Sequence, residues 1–140
     1  MGSAISIRET AGFLNRISDQ LALDGRSEVV LGESLAANQA FQFVAGVAQA
    51  VTSQSSVARV DGILLESGDA GDVRPAAMIE GQLYETAVTL PSAADLWLGQ
   101  DGKLTGTVPT VGAGDVWLKK LARRNDALSF IFSPEFSLKL

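Results

Sequence analysis

The residues that could do chemistry in this chain are carboxylates, lysines, arginines and hydroxyls, because it contains no histidine and no cysteine. That removes imidazole acid–base catalysis, the Ser-His-Asp and Cys-His nucleophile arrangements, thiolate zinc sites, haem attachment and disulfides. Four groupings remain. Glu66, Asp69 and Asp72 lie around Gly68 and Gly71, but a calcium loop needs a longer and denser run of oxygen ligands, and a solvated turn is the commoner use of such residues. Asp61, Glu80 and Asp101 could supply paired carboxylates for glycoside hydrolysis, yet no spacing brings two together, and Asp-Gly is ordinary turn chemistry. Gly112-Ala113-Gly114-Asp115 is glycine-rich but lacks the Lys and Ser/Thr of a phosphate-binding loop. A serine beside Lys119 or Lys120 could form a dyad, with no surrounding motif to support it. None of these groupings has catalytic spacing, so the expectation is a protein that is not an enzyme, with no catalytic residue, cofactor or metal.

The remaining candidates are contact residues. Lys119, Lys120, Arg123 and Arg124 form one basic cluster, which on a hairpin is usually a solvated edge that blocks aggregation and could alternatively meet an acidic partner. Trp97 and Trp117 are the largest apolar side chains; core packing is the plain reading and an intersubunit anchor the sharper one. Phe130, Phe132 and Phe136 alternate with Ile131 and other residues, dividing a core face from a contact face. Near the N-terminus Ile5 and Ile7 alternate as in an edge strand, and Phe13, Leu14, Ile17 and Leu21 recur at helical spacing between Thr10 and Asp24-Gly25. A terminal helix usually packs on its own domain; an arm reaching a neighbouring subunit is the alternative.

The elements that must position these residues are short strands. The 140 residues suit one domain with a real core, 46% are hydrophobic, and fourteen glycines with many Ser, Thr, Asn and Gln indicate strands joined by tight turns. A net charge of −5 disfavours a dedicated nucleic-acid binder. No apolar run reaches membrane-spanning length and none reads as a signal peptide, so no membrane partner is expected. Residues 1–26 read as an N-terminal arm with a short helix, and residues 27–140 as a β-rich domain. Strands are expected at Glu28–Leu31, Ala40–Val44, Val57–Leu65 with a break at Asp61-Gly62, from Val73 with Pro75 marking an edge or bulge, at Met78–Tyr84 and at Thr86–Leu90. Asp69-Ala70-Gly71-Asp72 reads as a turn. Gln100-Asp101-Gly102 reads as a hairpin turn between Leu96–Gly99 and Lys103–Thr105. Arg123-Arg124-Asn125-Asp126 reads as the turn between Val116–Leu118 and Leu128–Phe132. The fold class predicted is mainly β, a compact antiparallel barrel or sandwich-like domain, closed or nearly closed because closure removes sheet edges.

Several of these turns resemble phrases of a known family. Gly32-Glu33-Ser34-Leu35-Ala36-Ala37-Asn38-Gln39-Ala40-Phe41 resembles the "GEALAAGDLV" phrase that opens many small bacteriophage capsid cement and decoration proteins. Val60-Asp61-Gly62-Ile63 resembles that family's "A-x-G-I" strand, and Ala70-Gly71-Asp72-Val73-Arg74-Pro75 its "A-G-D-x-V" turn, followed by Ile79-Glu80-Gly81. Leu90 to Thr105, with Leu96-Trp97-Leu98-Gly99 and Gly102-Lys103-Leu104-Thr105, is similar to "G-x-x-L-Y-L-G-x-x-G-K-L-T". Val108-Pro109-Thr110 and Ser133-Pro134 fit its usual ending. The resemblance covers about residues 27 to 134, departs from the pattern at Asn38 and Leu121, where the family often has Gly, and leaves the first 26 residues unmatched. It implies a structural virion protein on the outer capsid surface that stabilises the head, commonly a homotrimer whose partner is the major capsid protein. The alternatives are the base of a head fibre or tail spike and, less favoured, a small carbohydrate-active domain.

Overall fold

Tight turns set the architecture. In the computed structural model, which describes residues 26–55 and 59–140, Ala45 and Gly46 both take positive φ, 52° and 85°. They join strand β2 (Ala40–Val44) to β3 (Val47–Ala50) in a two-residue hairpin with Val44 opposite Val47, since paired left-handed residues match the right-handed twist of the strands. These strands belong to an antiparallel five-stranded sheet with β1 (Arg26–Val30), β4 (Gly62–Leu64) and β5 (Val73–Ala77), in the order β1-β5-β4-β2-β3. A second antiparallel five-stranded sheet contains β6 (Leu83–Glu85), β7 (Asp95–Leu98), β8 (Leu104–Thr105), β10 (Lys120–Asp126) and β11 (Ser129–Phe132), in the order β6-β11-β10-β7-β8. The short β9 (Trp117–Leu118) pairs with β12 (Leu138–Lys139).

The domain is therefore mainly β and sandwich-like, and its sheets are not closed into a barrel. The nearest approach to closure is one parallel bridge, Leu31 to Ala48, where Gly32 N donates to the Ala48 carbonyl at 2.8 Å. A Cβ on Gly32 would lie 2.7 Å from Val47 Cγ2, so this approach needs glycine.

The first sheet buries both of its faces. Ala40, Ile63, Leu65 and Ala77 join Tyr84, Leu96, Leu98, Leu121, Phe130 and Phe132 of the second sheet in the larger core. Their neighbours in sequence, Phe41, Leu64 and Ala76, point the other way into a smaller core with Val29, Leu31, Leu35 and Ala48. Two-sided burial explains why residues 62–65 read Gly-Ile-Leu-Leu without polar alternation. Leu121, where the resembled pattern has glycine, is fully buried and fills the larger core.

Four expectations need correction. Pro75 is not on an edge strand: β5 lies between β1 and β4, with Pro75 opposite Glu28. It is tolerated because β4 has ended there. Leu65 N still donates to the Pro75 carbonyl at 3.0 Å, and the Leu65 carbonyl, which proline cannot serve, accepts from Ala87 N at 3.1 Å. Met78–Tyr84 is broken by a turn in which Gln82 N bonds the Ile79 carbonyl and Gly81 takes φ 82°, so only Leu83 onward is strand. Thr86–Leu90 is irregular; its amides donate instead to Leu65, Ala127 and Leu128 carbonyls. Arg123–Asp126 is not a turn but the end of β10, which pairs with β11 and β7, so the turn falls after Asp126 and Val116–Leu118 pairs elsewhere. The expected arm and helix lie outside the described residues, except Arg26, which begins β1. Val57 and Ala58 lie outside them too, and Arg59, Val60 and Asp61 are irregular, so only Gly62–Leu64 of the expected Val57–Leu65 is strand.

Asn38 ties the two sheets. It is 5% exposed, takes φ 69°, and its amide donates to the Leu64 carbonyl at 2.7 Å. Its carbonyl accepts from Leu104 N at 2.9 Å, Nδ2 donates to the Val88 carbonyl at 3.0 Å, and Oδ1 accepts from Thr86 Oγ1. Asparagine is, after glycine, among the residues most tolerant of the left-handed region. The departure from glycine at this position therefore preserves the backbone and adds two side-chain bonds. Asn38→Ala should destabilise by about 2–4 kcal/mol, because it adds left-handed strain, removes the bond to the Val88 carbonyl and leaves the buried Thr86 hydroxyl only its long 3.5 Å contact with the Leu65 carbonyl. Asn38→Gly should cost less than Asn38→Ala, since it keeps the permitted φ. Urea unfolding of both variants checks the order, and an alanine variant as stable as the glycine one would remove the backbone argument.

Candidate functional site

Antiparallel register assembles one side of the second sheet from residues far apart in sequence. Arg123 stands opposite Asp95 on β7 and Ile131 on β11, and Ile131 stands opposite Leu83 on β6. Lys120 is opposite Trp97, which is opposite Thr105 on β8. The residues alternating with them, Leu96, Leu98, Ala122, Phe130, Phe132 and Tyr84, are the buried ones, so this set forms the outward face. Leu83 is half exposed, Arg123 and Asp95 are exposed, and Trp97, Lys120 and Ile131 are half-buried. Lys120 Nζ bridges Asp95 Oδ1 at 3.1 Å and Glu135 Oε2 at 3.6 Å, holding its long stem along the face. Of the residues on this strand-built face, the indole of Trp97 and the guanidinium of Arg123 are types enriched where proteins anchor partners, and Leu83 and Ile131 add apolar area beside them.

The basic cluster divides three ways. Lys120 and Arg123 reach this face. Lys119 is buried, its Nζ donating to the Glu135 carbonyl at 2.5 Å; burial pushes its ammonium below the ordinary 10.5, with Glu80 opposing. Arg124, opposite Phe130, has a buried Nε with no hydrogen-bond partner among the described residues. The four therefore do not form one solvated hairpin edge, because β10 runs through the middle of its sheet.

Trp117 lies elsewhere, in an open groove of about 1120 Å³ where β9 and β12 pair. Its Nε1 donates to the Ser55 carbonyl at 2.8 Å. Val60, Pro134, Phe136 and Leu138 make the groove mostly apolar, while Arg59, Glu80, Lys119 and Glu135 stand around it. Phe136 is 94% exposed and Leu138 60%. Ile5, Ile7, Phe13, Leu14, Ile17 and Leu21 lie outside the described residues. Sequence reasoning missed Leu83, Val60 and Leu138, none of which carries a local signal; only strand pairing places them.

The candidate chemical groups are engaged in local structure. Asp61 accepts from Phe43 N at 2.7 Å and pairs with Arg59 at 3.1 Å. Asp101 accepts from Lys103 N within its hairpin. Asp72 accepts from Asp69 N and Arg74, and Asp69 accepts from Ser34 Oγ. Among the described residues no three carboxylates gather where a metal ion could sit. A buried serine–carboxylate pair stands out: Ser53 Oγ donates to Asp115 Oδ1 at 2.5 Å, with Thr110 N donating to Oδ2 at 2.9 Å. Ser53 is fully buried; its amide donates to the Gly99 carbonyl and its carbonyl accepts from Val116 and Trp117 amides. Sequence reasoning read Gly112–Asp115 as a loop, and the loop is anchored through this carboxylate.

No protein-family model matches the chain, and no curated protein or solved structure matches it.

The Ser53 bond holds the Asp115 carboxyl below its ordinary value of 3.8; burial opposes this, and Thr110 and Gln100 add to the lowering. A depressed folded value means that the ionised carboxylate contributes stability above the unfolded value, and that this contribution is lost as pH falls through about 3.8 toward the folded value. Asp115→Asn should therefore lose less stability than the parent between pH 7 and pH 3. Parallel urea curves at the two pH values test this, and equal losses would show that the carboxylate has no ionisation-linked role.

Proposed function

We propose that this chain is a structural virion protein that binds the outer surface of a bacteriophage capsid and stabilises it, and that it works by contact rather than catalysis. One observation carries the reading. Four of the resembled phrases each place a residue in the left-handed region, in chain order: Asn38 at φ 69°, Gly71 at 89°, Gly81 at 82° and Gly102 at 83°. Turn phrases can be similar by chance in composition, but these fall where the backbone requires a residue free of ordinary Cβ strain. The resemblance thus follows the turns that join the strands, including the β7–β8 hairpin, where Leu98 pairs with Leu104.

The outward face of the second sheet is the surface assigned to the shell. Trp97 offers large contact area with few rotatable bonds, and Arg123 offers charge to an acidic partner. Copies held together, as a trimer would hold them, turn each further contact into an intramolecular event, so a modest face suffices without a deep pocket. Asp72 and Asp101 are bound into turns, Asp61 to the β2 amide of Phe43 and Asp115 to Ser53, so each of these carboxylates has a structural use.

The purified chain should sediment with heads of the phage that encodes it when those heads are prepared without it. Trp97→Ala should weaken binding roughly 10- to 30-fold, about 1.4–2 kcal/mol. Arg123→Glu with Lys120→Glu should slow association at low salt, with the difference fading as salt rises. Binding to tails in place of heads would transfer the chain to the fibre or spike reading, and failure to bind any particle would overturn the virion role.

A further inference from the structure

The groove beside Trp117 is the anomaly of the described domain. Phe136 is an aromatic side chain left 94% exposed, and Leu138 is 60% exposed beside it, although the domain has two filled cores elsewhere. Isolated apolar residues on a surface need no explanation, but a contiguous apolar concavity marks a place where something binds. At about 1120 Å³ it exceeds the usual range of roughly 300–1,000 Å³ for a small-molecule pocket, and it is open rather than enclosing. Its walls are a two-stranded ribbon and a chain segment, a shape suited to the apolar side of a helix.

The chain itself carries such a stripe. Phe13, Leu14, Ile17 and Leu21 follow helical spacing, with Asn15, Arg16, Asp19 and Gln20 between them. The described backbone begins within reach of the groove. The described chain starts at Arg26, opposite Ala77 at the end of β5. Glu80, three residues beyond Ala77, already lines the groove, and three residues span at most about 11 Å. Leu21 is five residues before Arg26, a reach of up to about 17 Å. A nine-residue helix from Phe13 to Leu21 is about 14 Å long. The tether is thus long enough to seat the stripe and short enough to keep its local concentration in the millimolar range.

We infer that the groove formed by Val60, Trp117, Pro134, Phe136 and Leu138 is the docking site of residues 10–22 of the same chain, taken up as an amphipathic helix with Phe13, Leu14, Ile17 and Leu21 facing Phe136 and Leu138. The inference does not depend on the capsid reading, because it concerns the isolated protein, and the outward face of the second sheet stays free when the groove is filled.

The absence of native cysteine makes the test direct. Ile17→Cys or Leu21→Cys, each combined with Phe136→Cys in the full-length chain, should form an intramolecular disulfide on mild oxidation, giving a faster-migrating monomer on non-reducing gels. Ile17→Cys with Val44→Cys, on the exposed end of β2, should not. A second measurement uses Trp117 as the sole indole in a Trp97→Phe chain. Phe13→Ser with Ile17→Ser should shift its emission to the red and raise its acrylamide quenching constant about twofold, while circular dichroism shows the β-fold intact. Disulfide-linked dimers in place of the monomer would make the occupant the segment of a second copy and overturn the assignment to the same chain. No cross-link with either pair, together with Trp117 emission unchanged by the serine substitutions, would overturn it altogether.

Discussion

The relation between the two sheets rests on Asn38. The sheets share no continuous ladder; an isolated bridge from Gln39 to Lys103, with Ala40 N on the Gly102 carbonyl, joins them next to Asn38, and elsewhere their relation rests on side-chain packing, which is attractive but poorly directional. Asn38 adds direction. One residue bonds β4 through its amide, β8 through its carbonyl and the segment after β6 through its side chain. A buried polar group with every partner satisfied favours one arrangement, because any slip leaves it unpaired in a medium where that costs more than it does in water. Pro75 makes a related contribution: by removing a donor it leaves the Leu65 carbonyl for Ala87 N, a second backbone link between the first sheet and the segment after β6.

That constraint decides what is left at the surface. With both faces of the first sheet filled, one by its own small core and one by the second sheet, the outward face of the second sheet is a broad strand face that the described domain does not cover. Ser53 and Asp115 anchor the long connection from β8 to β9, so Trp117 and the β9–β12 ribbon hold a fixed place beside the second sheet. The face and the groove are thus surfaces of one hydrogen-bonded framework.

Local turn chemistry was the legible part of the sequence. Ala40–Val44 has the bounds read from its alternation, and the Asp101-Gly102 hairpin stands where Asp-Gly indicated it. Both depend on neighbours in the chain. The run Arg123-Arg124-Asn125-Asp126 was misread because four polar residues look like a turn, whereas in the fold they end a central strand whose one side is solvent-facing and whose other side adjoins Phe130. Pro75 misled for a similar reason: proline is barred from a ladder only on the side where its N–H is needed, and which side that is depends on where β4 stops. Trp97, Lys120 and Arg123 were each singled out from the sequence, but their meeting on one face follows from β7 pairing with β10, a contact across more than twenty residues that periodicity cannot reveal. Asn38 was visible only as a departure from a glycine pattern; its positive φ supplies the physical reason for the exchange.

Among the described residues, Lys120 links the two surfaces. Its Nζ reaches Asp95 on the outward face and Glu135 beside the groove. Such a bridge could in principle carry information from whatever fills the groove to whatever meets the face. The magnitudes argue against it. Both acidic partners are half or more exposed, with side-chain exposures of 50% and 59%, and pairs of that kind contribute about 0–1 kcal/mol. Coupling between two sites cannot exceed the free energy of the contacts that differ between their states, so filling the groove would change affinity at the face by a few-fold at most. A contact network transmits a signal where it has two arrangements, and the connections through Asn38 and Ser53 have their buried polar groups paired in this one. The two surfaces are therefore held in register by the same framework, with little free energy available to couple them.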